Sequence, residues 1–270
     1  MPHPPPTHPR PPEAQRGFPR LRTAGGLLGF SLVVLGAIAH FIGLSVRAGG
    51  RLSARDRARW LSFWSRRALG TLHIRVHAAG TPPDRGLLVS NHLSYVDIVV
   101  LASRGPMRFV AKADVRRWPV MGRLAIMAGT LFIDRTRRAD VSRLNARLSE
   151  ALAGDVPVVL FPEGTSSDGA GVLPFRSSLL APAAEASLPV TPAHLSYELE
   201  EGSVADEVCY WRDMTFVPHF INLARKREVR AHVRFGAPVK GNSDRKELAR
   251  ALHSAVSILS KPEMDAEGHR

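Results

Sequence analysis

"GLLVSNHLSYVDIVVLA", Gly86 to Ala102, decides how this chain folds. Its ends, "GLLVS" and "IVVLA", read as a buried strand and the body of a helix, and between them stand Asn91, His92 and Asp97. An apolar run that stops at polar residues and restarts as a helix is the strand–loop–helix unit of an α/β protein. Loops beyond strand ends are where such folds hold ligands. His92 and Asp97 are five residues apart, and on one regular helix they would point about 140° away from each other. They meet only if His92 lies in the loop and Asp97 in the first helical turn. The carboxylate then takes one imidazole N–H and leaves the other ring nitrogen as a base. A histidine capping a helix beside an aspartate closing a turn is the plain structural alternative.

The same rhythm continues on both sides. The runs 72–77, 86–90, 108–112, 130–134, 156–161, 188–195 and 229–236 read as strands, and 138–153 and 243–259 read as helices. Strands separated by helical segments predict an α/β fold: a mixed, largely parallel sheet flanked by helices. No internal repeat is visible.

Upstream the composition changes twice. Residues 1–22 are Pro-rich and basic with few large aliphatics, which predicts a disordered tail. Thr23 to Val46 contains no Asp, Glu, Lys or Arg and, at about 1.5 Å per residue, forms a helix longer than the roughly 30 Å hydrocarbon core. A membrane anchor is expected there. A signal peptide fits less well, because "SVRAGGRLSA" is a poor cleavage site. A buried core helix is the other alternative. Arginines flank both ends, so spanning and re-entrant arrangements stay open.

Between Arg47 and Arg67 seven arginines face one acid, Asp56, and Trp60, Leu61, Phe63 and Trp64 lie among them. A helix with an aromatic stripe and a cationic face is the composition of an interfacial helix on anionic lipid. The expected organisation is therefore a tail (1–22), an anchor with an interfacial helix (23–70), a catalytic domain (71–260) and a flexible tail (261–270).

With 37 Lys+Arg against 24 Asp+Glu, the net charge of +13 favours anionic partners. Nucleic acid is one such class, but the position of the basic segment directly after an insertion-grade helix assigns it to lipid, and no nucleic-acid partner is expected. One cysteine, Cys209, excludes an internal disulfide, a Cys-based zinc site and a CxxC redox motif. No GxSxG nucleophile elbow is present.

Four blocks stand in order: "NHLSYVD" (91–97), then "FVAK" (109–112) with "GTLFIDR" (129–135), then "FPEGTSS" (161–167), then "LPVTPAHL" (188–195). This order resembles the glycerolipid acyltransferases, and within them the bacterial 1-acyl-sn-glycerol-3-phosphate O-acyltransferases. The resemblance runs from about Leu87 to Leu195, and a hydrophobic amino-terminal anchor is also usual for that family. It implies an acyltransferase in which His92 deprotonates the acceptor hydroxyl, Asp97 orients His92, and the hydroxyl attacks an acyl thioester directly, without an acyl-enzyme. The donor is acyl-CoA or acyl carrier protein, with no cofactor and no metal. The acceptor is a lysolipid, by resemblance 1-acyl-sn-glycerol-3-phosphate, giving phosphatidic acid. Asn91, Lys112, Arg135, Glu163, Gly164, Thr165 and Ser166 fall on the binding positions. Lys112 and the amides around Gly164 and Thr165 are the oxyanion candidates, and Asn91 is a positioning neighbour. The bacterial inner membrane is the expected location, with the catalytic domain on the cytoplasmic side.

One position departs from the family. Its third block commonly reads FPEGTRS, whose arginine binds the acceptor phosphate, and here Ser166 replaces that arginine. A hydroxyl supplies no charge. Either Arg135, Lys112 or Arg176 provides the cation, or the acceptor lacks a phosphomonoester, as for the family's lyso-ornithine lipid acyltransferases. A thioester hydrolase or a non-catalytic lipid-binding adaptor are the readings from other classes.

Overall fold

The computed structural model describes residues 19–133 and 146–261, without the side chains of 19–22. The expected tails up to residue 18 and from 262 onward, the first part of the 138–153 helix, and Arg135 lie outside the described residues.

Among the described residues seven strands form one sheet: β1 (Ile74–Ala79), β2 (Leu87–Ser90), β3 (Arg108–Lys112), β4 (Leu131–Ile133), β5 (Val158–Leu160), β6 (Val190–Leu199) and β7 (Val229–Phe235). Their order is β1-β7-β6-β2-β5-β3-β4. Every pairing is parallel except β6 with β7, so β7 and β1 run against the other five. The mixed, largely parallel sheet expected from the sequence is the one observed.

Burial follows from position in the sheet. β2 and β5 sit in the middle and read LLVS and VVL with every residue buried, as parallel strands covered on both faces do. β7 reads VRAHVRF and alternates buried with half-buried, because one of its faces is left open.

The helices are α1 (Pro19–Arg47), α2 (Ala54–Thr71), α3 (Val96–Arg104), α4 (Met121–Met127), α5 (described over residues 146–152), α6 (Ala181–Glu185), α7 (Val204–Glu207), α8 (Phe216–Ala224) and α9 (Arg245–Leu259). Alternation along β2 separates two cores. Leu88 joins Leu101, Phe109, Leu195 and Leu223 under α3 and α8, whereas Leu87 and Val89 join Leu148, Leu180, Leu248 and Leu252 under α5, α6 and α9.

α1 has an open apolar stripe, Leu28, Leu32, Leu35, Ile42 and Val46, each more than half exposed. Among the described residues its segment Thr23–Arg47 is the one helix long and apolar enough to cross a bilayer, with a mean hydropathy of 2.2. α2 starts at a capping box, in which Ser53 Oγ accepts from Asp56 N–H at 3.1 Å and the Asp56 carboxylate accepts from Ser53 N–H at 3.3 Å.

The aromatic stripe of α2 faces elsewhere than the sequence implied. Trp60 is 3% exposed and donates from Nε1 to the Ala37 carbonyl at 2.9 Å. Trp64 donates to His40 Nδ1 at 3.1 Å, which gives the one ionisable side chain of the apolar run a partner. A Cβ on Gly36 would stand 2.7 Å from the Trp64 ring, so glycine sets how closely the helices approach. The stripe therefore packs on α1. The cationic face remains outside, with Arg59, Arg66 and Arg67 exposed and the Arg67 guanidinium 3.4 Å above the Phe63 ring.

Candidate active site

β2 and β5 are neighbours and end on the same edge of the sheet, so the loops that follow them lie side by side. After β2 the chain leaves the sheet at Asn91, whose amide pairs with Leu195 on β6. Nδ2 donates to the Leu195 carbonyl at 2.8 Å and Oδ1 accepts the Leu195 N–H at 2.7 Å. The side chain prolongs the β2–β6 ladder by one rung while the main chain turns away. Asn91 is 2% exposed and offers nothing further to a ligand.

The turn places His92 in the loop and Asp97 in the first turn of α3, as the spacing required. His92 Nδ1 lies 2.8 Å from Asp97 Oδ2. That oxygen also accepts the N–H groups of Leu93 at 2.7 Å and Ser94 at 3.0 Å, and Oδ1 accepts the Tyr197 hydroxyl at 2.6 Å. Asp97 is fully buried and engages four donors, all as an acceptor. A carboxylate in that role requires the hydrogen of a neutral His92 on Nδ1 and leaves Nε2 with its lone pair. Nε2 has no hydrogen-bond partner among the described residues, and the side chain is 23% exposed. The ring stacks on Phe161 at a centroid distance of 4.1 Å and 15° between planes. Its rotation is thus fixed by a hydrogen-bonded carboxylate at one edge and an aromatic face beneath.

The FPEG block acts on His92 from the β5 side. Glu163 is 3% exposed, and its carboxyl accepts from His92 N–H at 3.3 Å through Oε2 and from Leu173 N–H at 3.1 Å through Oε1. Burial pushes that carboxyl up to about 8, the two amides pull it back, and the charge of Asp97 adds to the rise. Glu163 is occupied by backbone and does not face a ligand. Gly164, at φ +75°, closes a turn in which its N–H donates to the Phe161 carbonyl at 3.1 Å. Of the two amides expected to serve an oxyanion, Gly164's is committed. Thr165 is exposed, and its N–H has no partner among the described residues.

Ser166 is also occupied, because its hydroxyl donates to the Tyr210 carbonyl. Tyr210 N–H in turn donates to the Leu93 carbonyl at 2.8 Å. Lys112 is exposed on β3, separated from β2 by β5. Arg176 is exposed and donates from Nε to the Glu163 carbonyl at 3.2 Å. The structure gathers Asn91, His92, Asp97, Glu163, Gly164, Thr165 and Ser166 at one edge and leaves Lys112 aside.

Sequence reading missed Tyr197, Phe161 as the base of the imidazole, and the wall formed by residues 209–219. Tyr197 carried a faint signal: it alternates with Leu195 on the core face of a strand. In the wall, His219 Nε2 donates to the Cys209 carbonyl at 2.9 Å, so its Nδ1 accepts the Tyr95 hydroxyl at 3.0 Å. Burial holds the His219 imidazole below its usual range, which suits this neutral form. The Cys209 thiol is fully buried and pushed up to about 12 by burial and by Asp97, Asp168 and Asp206, so it is kept as the unreactive thiol.

Beneath Tyr95 lies an apolar cavity of about 170 Å³ between α1, α2, α3, β3, α4 and α8, walled by side chains such as Phe30, Leu61, Ile98, Val99, Phe109 and Phe220. Among the described residues no group of three His, Cys, Asp or Glu side chains is placed to hold a metal.

Known proteins similar to this chain are acyltransferases. The chain matches the family described as Acyltransferase over residues 73–196, a span that begins just before β1 and ends within β6. It is 34% identical over 234 residues to the lyso-ornithine lipid O-acyltransferase of Pseudomonas aeruginosa, covering 86% of this chain and 90% of that one. The chain belongs to the acyltransferase family. It is also 35% identical over 176 residues to the 1-acyl-sn-glycerol-3-phosphate acyltransferase of Neisseria gonorrhoeae, covering 61% of this chain and 68% of that one. The fold is that of the Thermotoga maritima 1-acyl-sn-glycerophosphate acyltransferase PlsC, with a TM-score of 0.65 and 20% identity over 93% of this chain and all of that one. The chain is thus an acyltransferase, similar to relatives named for lysolipid acceptors.

Proposed function

We propose that the acceptor is a lyso-ornithine lipid, and that this chain moves a fatty acyl group from an acyl thioester to its free hydroxyl. The observation that carries the proposal is the Ser166 hydroxyl donating to the Tyr210 carbonyl at the position where the family's phosphate-binding arginine stands. Position 166 itself supplies no cation, and its hydroxyl is spent. The Pseudomonas aeruginosa relative supports the choice by its name and its coverage. 1-Acyl-sn-glycerol-3-phosphate is the second reading, favoured by the Neisseria gonorrhoeae relative. It requires Arg135 or Arg176 to meet the phosphate.

In the reaction we propose, His92 Nε2 takes the acceptor hydroxyl proton while the oxygen forms a bond to the thioester carbonyl carbon. The Thr165 N–H meets the developing oxyanion. Collapse breaks the C–S bond, and the imidazolium returns its proton to the departing thiolate. Asp97 holds the imidazolium and, fully buried with four donors, does not move. Tyr197, Glu163 and Asn91 are positioning residues. The cavity under Tyr95 is built for an acyl chain, since its wall is almost wholly apolar.

The apolar stripe of α1 supports a membrane-held enzyme on the cytoplasmic side of the bacterial cell membrane, where acyl-CoA and acyl carrier protein occur. Segment 23–70 then serves as the holdfast of a catalytic unit spanning 71–260. The test is an acceptor screen with purified protein and an acyl thioester, offering lyso-ornithine lipid, 1-acyl-sn-glycerol-3-phosphate and other lysolipids, with products read by mass spectrometry. Preferential acylation of lyso-ornithine lipid is expected. Preference for 1-acyl-sn-glycerol-3-phosphate would install the second reading, and thioester loss with no acylated lipid would indicate a hydrolase.

A further inference from the structure

Between β3 and α4 the chain forms a tight hairpin. Gly122 N–H donates to the Trp118 carbonyl at 3.0 Å, and a Cβ on Gly122 would stand 2.5 Å from the Arg116 carbonyl oxygen, so only glycine fits. At its tip Val120 has φ +59° and ψ −62°, a conformation a β-branched residue adopts only under strain. The result is an aliphatic side chain 49% exposed, with Ile126 38% exposed nearby. Both rim an open hollow of about 820 Å³ into which Arg116, Arg117 and Arg123 project, and among the described residues no acid lines it. None of the three arginines pairs with a carboxylate among the described residues.

The hairpin is tied to the apolar helix. Leu124, Met127 and Ala128 pack with Trp60, Ala37, Phe41 and Leu44, and the Arg57 guanidinium donates to the Met127 carbonyl at 3.0 Å while lying 5.3 Å from the Phe41 ring. Its inner side, through Trp118 and Met121, walls the apolar cavity. An acidic protein would match the arginines alone. A lipid surface matches both features, because it presents phosphates at one depth and hydrocarbon just below.

We propose that this hairpin is a second membrane contact: Val120 and Ile126 enter the acyl region, and Arg116, Arg117 and Arg123 hold headgroup phosphates of anionic lipid. It rests on the reading of α1 as membrane-embedded. It fixes the rotation of the catalytic unit on the bilayer, with the cavity wall toward the lipid.

The experiment places one environment-sensitive fluorophore on the full chain, through Val120→Cys, Leu35→Cys or Ile258→Cys, reconstituted in vesicles carrying nitroxide-labelled acyl chains. The buried Cys209 thiol does not compete for the label. In phosphatidylglycerol vesicles the probe at 120 should shift to the blue and be quenched, the probe at 35 should be quenched, and the probe at 258 should stay in water. Replacing all three arginines by Ala should lower the quenching at 120 several-fold and leave that at 35 unchanged. A probe at 120 that stays in water while the probe at 35 is quenched overturns this proposal and leaves the membrane reading standing. Loss of quenching at both positions overturns both. Equal quenching at 120 in phosphatidylcholine, unaffected by the Ala replacements, overturns the headgroup assignment.

Discussion

The Tyr197 hydroxyl donates to Asp97 Oδ1 at 2.6 Å, on the carboxylate oxygen that His92 leaves free. Tyr197→Phe strips one donor from a fully buried carboxylate, and an unpaired buried acceptor costs about 1–3 kcal/mol. The denaturation midpoint should fall accordingly. If about 1.4 kcal/mol of that loss also appears in the transition state, kcat falls about tenfold, with the acceptor KM unchanged. A folded Tyr197→Phe enzyme with full kcat would remove Tyr197 from the positioning of Asp97.

His92→Ala removes the base and should lower kcat by about 10²–10⁴-fold. The variant should stay folded, because the contacts of Asp97 with Leu93, Ser94 and Tyr197 remain. Asp97→Asn should be equally severe and also less stable, since an amide offers one acceptor oxygen where the carboxylate offers two. Turnover and near-ultraviolet circular dichroism on the same preparations separate the two effects.

The Glu163 carboxyl, raised to about 8 in the fold against 4.5 when solvated, makes stability depend on pH. A raised carboxyl contributes stability that is whole below its unfolded value and is lost as pH climbs through its folded value. Between about pH 5 and pH 8.5 the wild type should therefore lose ground against Glu163→Gln, which does not titrate. Denaturation midpoints of both proteins at the two pH values give the difference. A gap that stays constant between the two pH values would mean that Glu163 is ionised throughout.

Ser166→Arg tests the acceptor. On lyso-ornithine lipid the new cation meets a headgroup that already carries an ammonium, and the Tyr210 carbonyl loses its donor, so activity should fall. On 1-acyl-sn-glycerol-3-phosphate a charge-assisted contact, about 1.5–3 kcal/mol, should lower KM roughly ten- to a hundredfold. Kinetics on both acceptors decide; a gain on lyso-ornithine lipid would refute the assignment of this position.

Deleting residues 1–50 should give an aggregating protein rather than a freely soluble catalytic unit. Trp60 would lose the Ala37 carbonyl and Trp64 would lose His40, exposing two indoles together with Phe63. Size-exclusion chromatography with and without detergent reads this directly; a monodisperse truncated chain in plain buffer would contradict it.

Much of the framework was legible because its signals are local. The apolar runs located all seven strands, and the five-residue spacing of His92 and Asp97 forced the loop-and-first-turn geometry. What stayed hidden depends on chain neighbours far apart in sequence. Tyr197 lies 100 residues from Asp97, and only the β2–β6 pairing brings it close. Glu163 and Ser166 looked like ligand groups because their types are polar, yet their partners are backbone atoms of Leu173 and Tyr210. Trp60 and Trp64 have an interfacial composition, but the packing of α2 on α1 turns them inward.

The Asn91 amide that fills a rung between β2 and β6 gives the first letter of the signature a different trade from the second. It is a splice in the sheet, a side chain standing in for peptide where the chain departs. Aspartate lacks its donor and glutamine is a methylene too long, so neither can make that splice. A lipid of any headgroup would need it equally, and a change there should be felt first as a strand end that frays rather than as a substrate refused.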